Sequence, residues 1–249
     1  MKLKICHLYP DLLNLHSDQG NMLIFCRRAE WRGIQVEIDY ISLPEKVHFT
    51  DYDFIFLGGG TDQGPVYKDL LEKGPFLLEA VENGSVLLSI CLGYQLLGLS
   101  FKKQDGTVLP GVGIFDAYTE EVPERLQGNI LLETAPDLQD EIKRLGGAPL
   151  DTLIGFENHP GRTYLGKKAQ PLGRVIKGHG NNGEDKTEGA RYKNALGTYL
   201  HGPLLSKNPH LADLLLTKAL YRSSGDVHLD PLNDDLEIYA HNVMKKRLR

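Results

Sequence analysis

A short, largely apolar run that ends at a cysteine constrains this chain more than any other stretch. Val86–Ile90 contains no charged residue and predicts a buried strand. Cys91 follows at once, and residues 92–99 then have helical spacing. A cysteine at such a strand-to-helix turn stands clear of the carboxyl edge of the sheet, beside backbone N–H groups and a helix N-terminus. This setting favours a thiolate and offers donors to an oxyanion, so it predicts a nucleophile for acyl transfer through a thioester.

Further apolar runs extend this unit into an α/β fold. They alternate with segments of helical spacing, which is typical of a doubly wound sheet with helical crossovers. The predicted strands are 2–8, 36–41, 54–57 and 86–90, and the predicted helices are 18–33, 64–83, 92–99 and 209–216. We therefore expect a three-layer α/β fold, with a mostly parallel central sheet flanked by helices. Short strands and turns are expected over 107–133, and a mobile polar loop over 178–189.

Length and composition narrow the classes of function. The 249 residues suit one large domain, which we expect over 1–222, followed by a helical extension over 223–249. A net charge of −5 with no basic cluster before residues 245–249 argues against nucleic acid as the main partner. Three cysteines without paired spacing predict neither a disulfide framework nor a metal site. With no long apolar window, we expect a cytoplasmic protein that reaches the membrane only through a partner or a lipid-linked substrate.

Two more landmarks fall where the sheet should end. Gly58–Gly60 follow a fully apolar strand and lack the Lys-Ser/Thr pair of a phosphate loop. Glycines there let backbone N–H groups approach a reacting carbonyl, as in an oxyanion hole, although a simple turn would also explain them. His201 follows the short predicted strand that begins at Ala195, and it could be either a catalytic base or a structural histidine.

Taken together, these motifs resemble a known family. Cys91-x-Gly93-x-Gln95 after a strand, the upstream glycine triplet and the downstream 199–202 stretch Tyr-Leu-His-Gly are similar to the triad-type (class I) glutamine amidotransferases. Within them the chain resembles the cobyric-acid-synthase-like branch. It is most similar to the glutaminase subunits of lipid II isoglutaminyl synthase, because one such domain makes up almost all of it. Supporting stretches lie at residues 8–14, 18–21, 125–128 and 155–162.

The resemblance implies a role for each matching position. These are Cys91 as nucleophile, His201 as base, the amides of Gly60 (or Gly59) and Leu92 as oxyanion donors, Arg125 as ligand of the glutamine α-carboxylate, and Gln95 as a residue orienting the substrate. One position departs from the broader family, which commonly places a Glu two residues after the histidine, where this chain has Pro203. The cobyric-acid-synthase-like branch also lacks that Glu. Glu157 is our guess for the acid that orients His201.

The implied reaction is hydrolysis of L-glutamine to glutamate and ammonia. We expect no cofactor in this chain, which has no ATP-binding loop. The resemblance implies a heterodimer with a Mur-ligase-like (MurT-type) synthetase subunit, which would use ATP and Mg to amidate D-glutamate of lipid II to D-isoglutamine in peptidoglycan. Three alternatives stay open: an amidotransferase for a corrinoid or other amidation pathway, a non-catalytic regulatory subunit, and a cysteine peptidase on a related fold.

Overall fold

The computed structural model describes residues 1–15, 18–61, 64–145, 148, 150–225 and 227–249. Its central sheet has six strands in the order β11-β12-β4-β3-β1-β2. Their bounds are β1 Lys2–Leu8, β2 Gln35–Ile41, β3 Phe54–Leu57, β4 Val86–Ile90, β11 Ala190–Tyr192 and β12 Ala195–Thr198. All neighbouring pairs are parallel except β11 with β12. The predicted mostly parallel α/β sheet is therefore confirmed.

Seven α-helices lie in the described part of the chain. They are α1 Gln19–Glu30, α2 Gly64–Glu82, α3 Leu92–Leu96, α4 Pro136–Arg144, α5 Leu204–Lys207, α6 Pro209–Ser224 and α7 Asp235–Leu248. Going from β1 to β2 moves toward one edge of the sheet, and going from β3 to β4 moves toward the other edge. Because such crossovers are right-handed, helices α1 and α2 lie on opposite faces of the sheet. β3 and β4 are buried along their whole length, as expected of central strands covered on both sides.

A second sheet, mostly antiparallel, departs from the sequence prediction. It contains β5 Ser100–Lys102, β6 Val108–Pro110, β7 Ala117–Thr134, β8 Thr152–Leu165, β9 Gly173–Lys177 and β10 Thr187–Glu188. The short strands predicted for 107–133 are mainly one strand, β7, of 18 residues. The irregularity lies between Glu121 and Leu126, where the register with β8 shifts. Pro123 lies inside this bulge, where its missing N–H breaks no ladder bond.

The sequence predictions for one loop and for one helix end were also wrong. The polar segment 178–189 is not a free tip, because Asn181 is fully buried and its side chain bonds both the N–H and the C=O of Gly189. Helix α3 ends at Leu96 rather than at residue 99. Gly98, just beyond the helix, lies close to the second sheet, since a Cβ there would be 2.7 Å from the Ala117 carbonyl oxygen.

The C-terminal helix α7 packs on the rest of the chain. Asp234, just before α7, makes a two-bond ion pair with Arg28 of α1, which is only 2% exposed. His241 of α7 is buried between the Thr152 hydroxyl and the Lys207 carbonyl. The domain division at residue 222 stays a prediction, and α6 continues across it to Ser224.

Candidate active site

Cys91 occupies the turn between β4 and α3. Its φ of +51° lies in the left-handed region, which a residue with a side chain rarely adopts. Its N–H donates to the Thr198 carbonyl at 2.8 Å, which ties the turn to the end of β12. Strain of this kind collects at functional sites, where the surrounding structure enforces it. The strand-turn-helix geometry inferred from the sequence is therefore present, with Cys91 at its apex.

His201 reaches the same edge of the sheet from β12. β12 is the parallel neighbour of β4, so the two strands end side by side. Beyond β12, His201 exchanges two backbone hydrogen bonds with Phe156 of β8, at 2.8 and 3.1 Å. The ring is fully buried, and the Cys91 side chain is among the groups that raise its pKa. The structure thus brings together the two residues that the sequence singled out for chemistry.

The acid that orients His201 is Asp18, not Glu157. Asp18 is fully buried, and its Oδ1 lies 2.9 Å from His201 Nδ1. Its Oδ2 accepts a second bond, from the Gly59 N–H at 2.9 Å. Glu157 is engaged elsewhere, because its two oxygens accept the backbone N–H groups of His179 and Gly180 at 2.8 Å each. The guess of Glu157 was wrong.

The charges at the site favour an imidazolium. Burial alone would lower the pKa of His201, but the hydrogen bond to Asp18 and the nearby Cys91 side chain outweigh it and raise the pKa to about 10. An imidazolium beside the sulfur is the partner that a thiolate requires. Asp18 also fixes the tautomer, since it binds Nδ1–H and turns the other ring nitrogen away from itself. Cys91, His201 and Asp18 form the constellation of an activated nucleophile.

The glycine triplet lies against this constellation. A Cβ on Gly59 would stand 2.9 Å from Asp18 Oδ2, 3.1 Å from His201 Cε1 and 3.2 Å from Cys91 Cβ, so a larger residue there would displace Asp18 and crowd the other two. The Gly59 N–H is already donated to Asp18. The predicted alternative Gly59 therefore has its N–H engaged, and Gly60 stays the predicted oxyanion donor. Leu92 is the first residue of α3, where a helix leaves its N–H without an intrahelical acceptor.

The predicted substrate-binding residues lie on the side of the site that faces the second sheet. Arg125 is exposed, and its Nε and Nη2 donate to the side chain and backbone of Asn158, both at 2.8 Å. These bonds hold the guanidinium and leave Nη1 for a substrate carboxylate. Gln95 is buried, with its amide nitrogen on the Tyr199 hydroxyl at 3.0 Å. Besides this bond the Gln95 amide has a second N–H and a carbonyl oxygen, and both assignments stay predictions.

Two observations concern cofactors and membranes. In the part of the chain that the structure describes, no three His, Cys, Asp or Glu side chains converge as metal ligands would. Across the same residues, no helix combines the length and the apolar character needed to span a bilayer.

Comparisons with known proteins fit this geometry. A parallel α/β sheet that brings Cys, His and Asp together at its carboxyl edge, beside a glycine turn, defines the class of triad-type amidotransferases. The model of the CobB/CobQ-like glutamine amidotransferase domain matches residues 4–209, and the chain belongs to that family. The GatD subunit of lipid II isoglutaminyl synthase (glutamine-hydrolyzing) from Staphylococcus aureus is 42% identical over 99% of this chain and 96% of its own length. The Streptococcus pneumoniae GatD subunit is 38% identical over 94% and 87%.

More distant relatives agree on the fold. The cobyric acid synthase of Pelotomaculum thermopropionicum is 30% identical over 68% of this chain, but the match spans only 37% of that protein. Among solved structures, the glutaminase domain of Trypanosoma brucei CTPS with bound acivicin is 11% identical, with a TM-score of 0.59 over 92% of this chain and 96% of that one. At such low identity the likeness supports the fold alone.

Proposed function

We propose that this chain is the glutaminase subunit of a lipid II isoglutaminyl synthase. The observation that carries the proposal is the Cys91–His201–Asp18 constellation in a chain that matches the GatD subunits almost from end to end. The names of those relatives describe a glutamine-hydrolysing subunit that acts toward lipid II. A chain with this family membership and an intact nucleophile favours hydrolysis over a purely regulatory role.

Each step of the reaction falls to a named group. The Cys91 thiolate attacks the side-chain carboxamide carbon of L-glutamine, while the Gly60 and Leu92 amides stabilise the oxyanion. His201, as imidazolium, protonates the departing ammonia, and the thioester remains. His201 then takes a proton from water, which attacks the thioester and releases glutamate. Asp18 holds the ring in one tautomer throughout, and Arg125 binds the α-carboxylate.

The ammonia requires an acceptor that this chain does not supply. The GatD relatives are named as subunits, which supports a partner subunit. We propose a Mur-ligase-like, MurT-type synthetase that binds ATP and Mg, activates D-glutamate of lipid II, and receives the ammonia to form D-isoglutamine. This heterodimer would work in the cytoplasm, at the inner face of the membrane where its lipid-linked substrate lies. A corrinoid role is less favoured, because this chain spans about a third of the cobyric acid synthase it matches.

The test is glutamate release from L-glutamine, for the wild type beside Cys91→Ala and His201→Ala. We expect turnover that disappears in both variants. If the wild type alone is silent, a MurT-type subunit is added. Turnover that appears then, and only with Cys91 intact, supports the proposal, whereas partner activity with glutamine that survives Cys91→Ala indicates a regulatory subunit. Cleavage of peptides in preference to glutamine would indicate a peptidase.

A further inference from the structure

Tyr9 has a backbone conformation that its sequence does not explain. It follows β1 directly and has a φ of +54°, in the left-handed region that favours glycine. The side chain is only 1% exposed, so the turn cannot relax by turning the ring to solvent. Such strain persists only where the surroundings enforce it, and it is frequent near functional sites. The contacts of Tyr9 therefore show which parts of the structure hold its backbone in this conformation.

The ring of Tyr9 is fixed to helix α2. Its hydroxyl donates to Asp69 Oδ2 at 2.5 Å, and Asp69 is ion-paired with Lys73 one helical turn further on. The Lys73 ammonium also lies over the Tyr9 ring, 5.6 Å from its centroid. Lys73 is 8% exposed, so the pair is shielded from solvent. We name Tyr9, Asp69 and Lys73 the tyrosine clamp.

The backbone of Tyr9 shapes the loop that covers the glycine turn. Its carbonyl accepts the N–H groups of Leu12 and Leu13 at 3.1 and 2.8 Å, which curls the chain. Leu15 N–H then donates to the Gly59 carbonyl at 3.0 Å. The covering loop, residues 9–15, is thus bonded to the turn that faces Cys91.

The covering loop also presses on the flanking glycines. The Leu13 carbonyl oxygen fills the place where Gly58 would carry a Cβ. A Cβ on Gly60 would lie 2.6 Å from Leu13 Cδ2 and 3.0 Å from the Leu12 oxygen. The peptide plane that carries the Gly60 N–H is therefore set by the covering loop as well as by the strand before it.

We propose that the tyrosine clamp is a positioning element for the reaction: it locks residues 9–15 onto the glycine turn and so holds the Gly60 N–H in line with the developing oxyanion. The inference rests on the proposed function, because it assigns a purpose within glutamine hydrolysis. The proposal assigns none of the three residues a contact with the substrate. Their effect passes through the backbone bonds of Leu12, Leu13 and Leu15.

The test is Tyr9→Phe, which keeps the ring and deletes only the bond to Asp69. Tyr67→Phe is the matched control, because it deletes a hydroxyl bond of 2.9 Å between α2 and the Pro110 carbonyl, away from the covering loop. Two rates are measured: kcat and KM for L-glutamine, and alkylation of Cys91 by iodoacetamide followed by mass spectrometry. Alkylation uses the thiolate but forms no oxyanion, so it reports the nucleophile and the integrity of the fold.

We expect Tyr9→Phe to lower kcat about tenfold or more, with KM and the alkylation rate within about twofold of the wild type. Asp69→Asn should give the same selective loss, and Tyr67→Phe none. A kcat for Tyr9→Phe within about twofold of the control overturns the inference, as does an equal fall in kcat and alkylation. A wild type that alkylates normally but hydrolyses no glutamine, with or without a synthetase subunit, refutes the proposed function itself.

Discussion

Replacing Asp18 by Asn tests the one residue of the Cys91–His201–Asp18 constellation that the sequence did not predict. The Asp18 carboxylate accepts two hydrogen bonds, from the His201 ring and from the Gly59 N–H, each at 2.9 Å. An asparagine amide has only one accepting oxygen. If the oxygen faces His201, the NH₂ group meets the Gly59 N–H, and two donors oppose each other. If the amide is flipped, the NH₂ group faces His201 and stabilises the wrong tautomer of the ring.

Either arrangement costs activity by an amount that can be bounded. A hydrogen bond to a charged group contributes about 1.5–3 kcal/mol, so losing one slows the reaction about ten- to a hundredfold. A wrong tautomer costs more, about 10⁴-fold for the corresponding change in a serine-protease triad. We therefore expect Asp18→Asn to lower kcat between about 10- and 10⁴-fold. Because the Asp18 bond raises the pKa of His201, the pH at which the imidazolium is lost should also move down.

The assay is glutamate release across pH, with Asp140→Asn as the control. Asp140 lies on helix α4, and its side chain is 73% exposed and 3.9 Å from Lys143. The same charge is thus removed without touching the site, and activity should stay within about twofold of the wild type. Retention of more than about a tenth of wild-type kcat by Asp18→Asn would refute the reasoning.

Three further predictions concern packing and charge. Gly59→Ala should abolish most glutamate release with an unchanged circular dichroism spectrum, because its Cβ meets the site at 2.9–3.2 Å. Arg28→Ala should lower the free energy of unfolding in urea by about 3–5 kcal/mol, because it removes a buried guanidinium that is ion-paired with Asp213 and Asp234, although Asp213 keeps its ion pair with Arg32. Burial lowers the pKa of three histidines to between about 3 and 4: His7, His159 and His210. Below about pH 6.5 these histidines become protonated in the unfolded chain but not in the folded one. Lowering the pH from 7 to 5 should therefore lower the free energy of unfolding by about 2 kcal/mol for each of them. Burial raises the pKa of Glu188 to about 7, so over the same pH range Glu188 takes up a proton in the folded state. This uptake should offset about 2 kcal/mol of the loss, and urea unfolding at pH 7 and pH 5 measures the sum.

The parts of the fold that follow from local sequence were predictable. β1, β3 and β4 begin and end where the apolar runs do, because each central strand is buried on both faces and bounded by turn residues. The turn at Cys91 is also local, since strand, cysteine and helix follow each other within a few residues. His201 could be paired with it because parallel neighbouring strands end at one edge of a sheet.

What could not be predicted depends on contacts far apart in sequence. Asp18 and His201 are separated by 183 positions, and an Asp just before a helix is typical of an N-cap. In the structure Asp18 makes no cap bond, because both its oxygens serve the site. The glycine triplet was predicted for the right place but for an incomplete reason. Two of its members are glycine because the covering loop leaves no room for a Cβ.

Pro203 packs beside the residues that follow Asp18, the acid near the start of the chain that orients His201. This is the position, two residues after His201, where the broader family commonly has a Glu. Here the Pro203 ring fills the space that a Cβ on Gly20 would need. Gly20 lies in the first turn of α1, two residues after Asp18, so this contact packs the start of the helix against the turn that follows His201. The close approach of Gly20 and Pro203 thereby delivers the Asp18 carboxylate to the ring.

Gly20→Ala separates this explanation from ordinary helix stability. In an unhindered helix, replacing Gly by Ala stabilises by about 0.5–1 kcal/mol. At position 20 the added methyl group must instead push Pro203 away and move Asp18 from His201, so we expect kcat to fall about tenfold or more. Adding Pro203→Ala should restore much of that loss, because it removes the ring atom in the way. If Gly20→Ala keeps full activity, or if the double variant is no better than the single one, the packing of Pro203 on Gly20 does not set the position of Asp18.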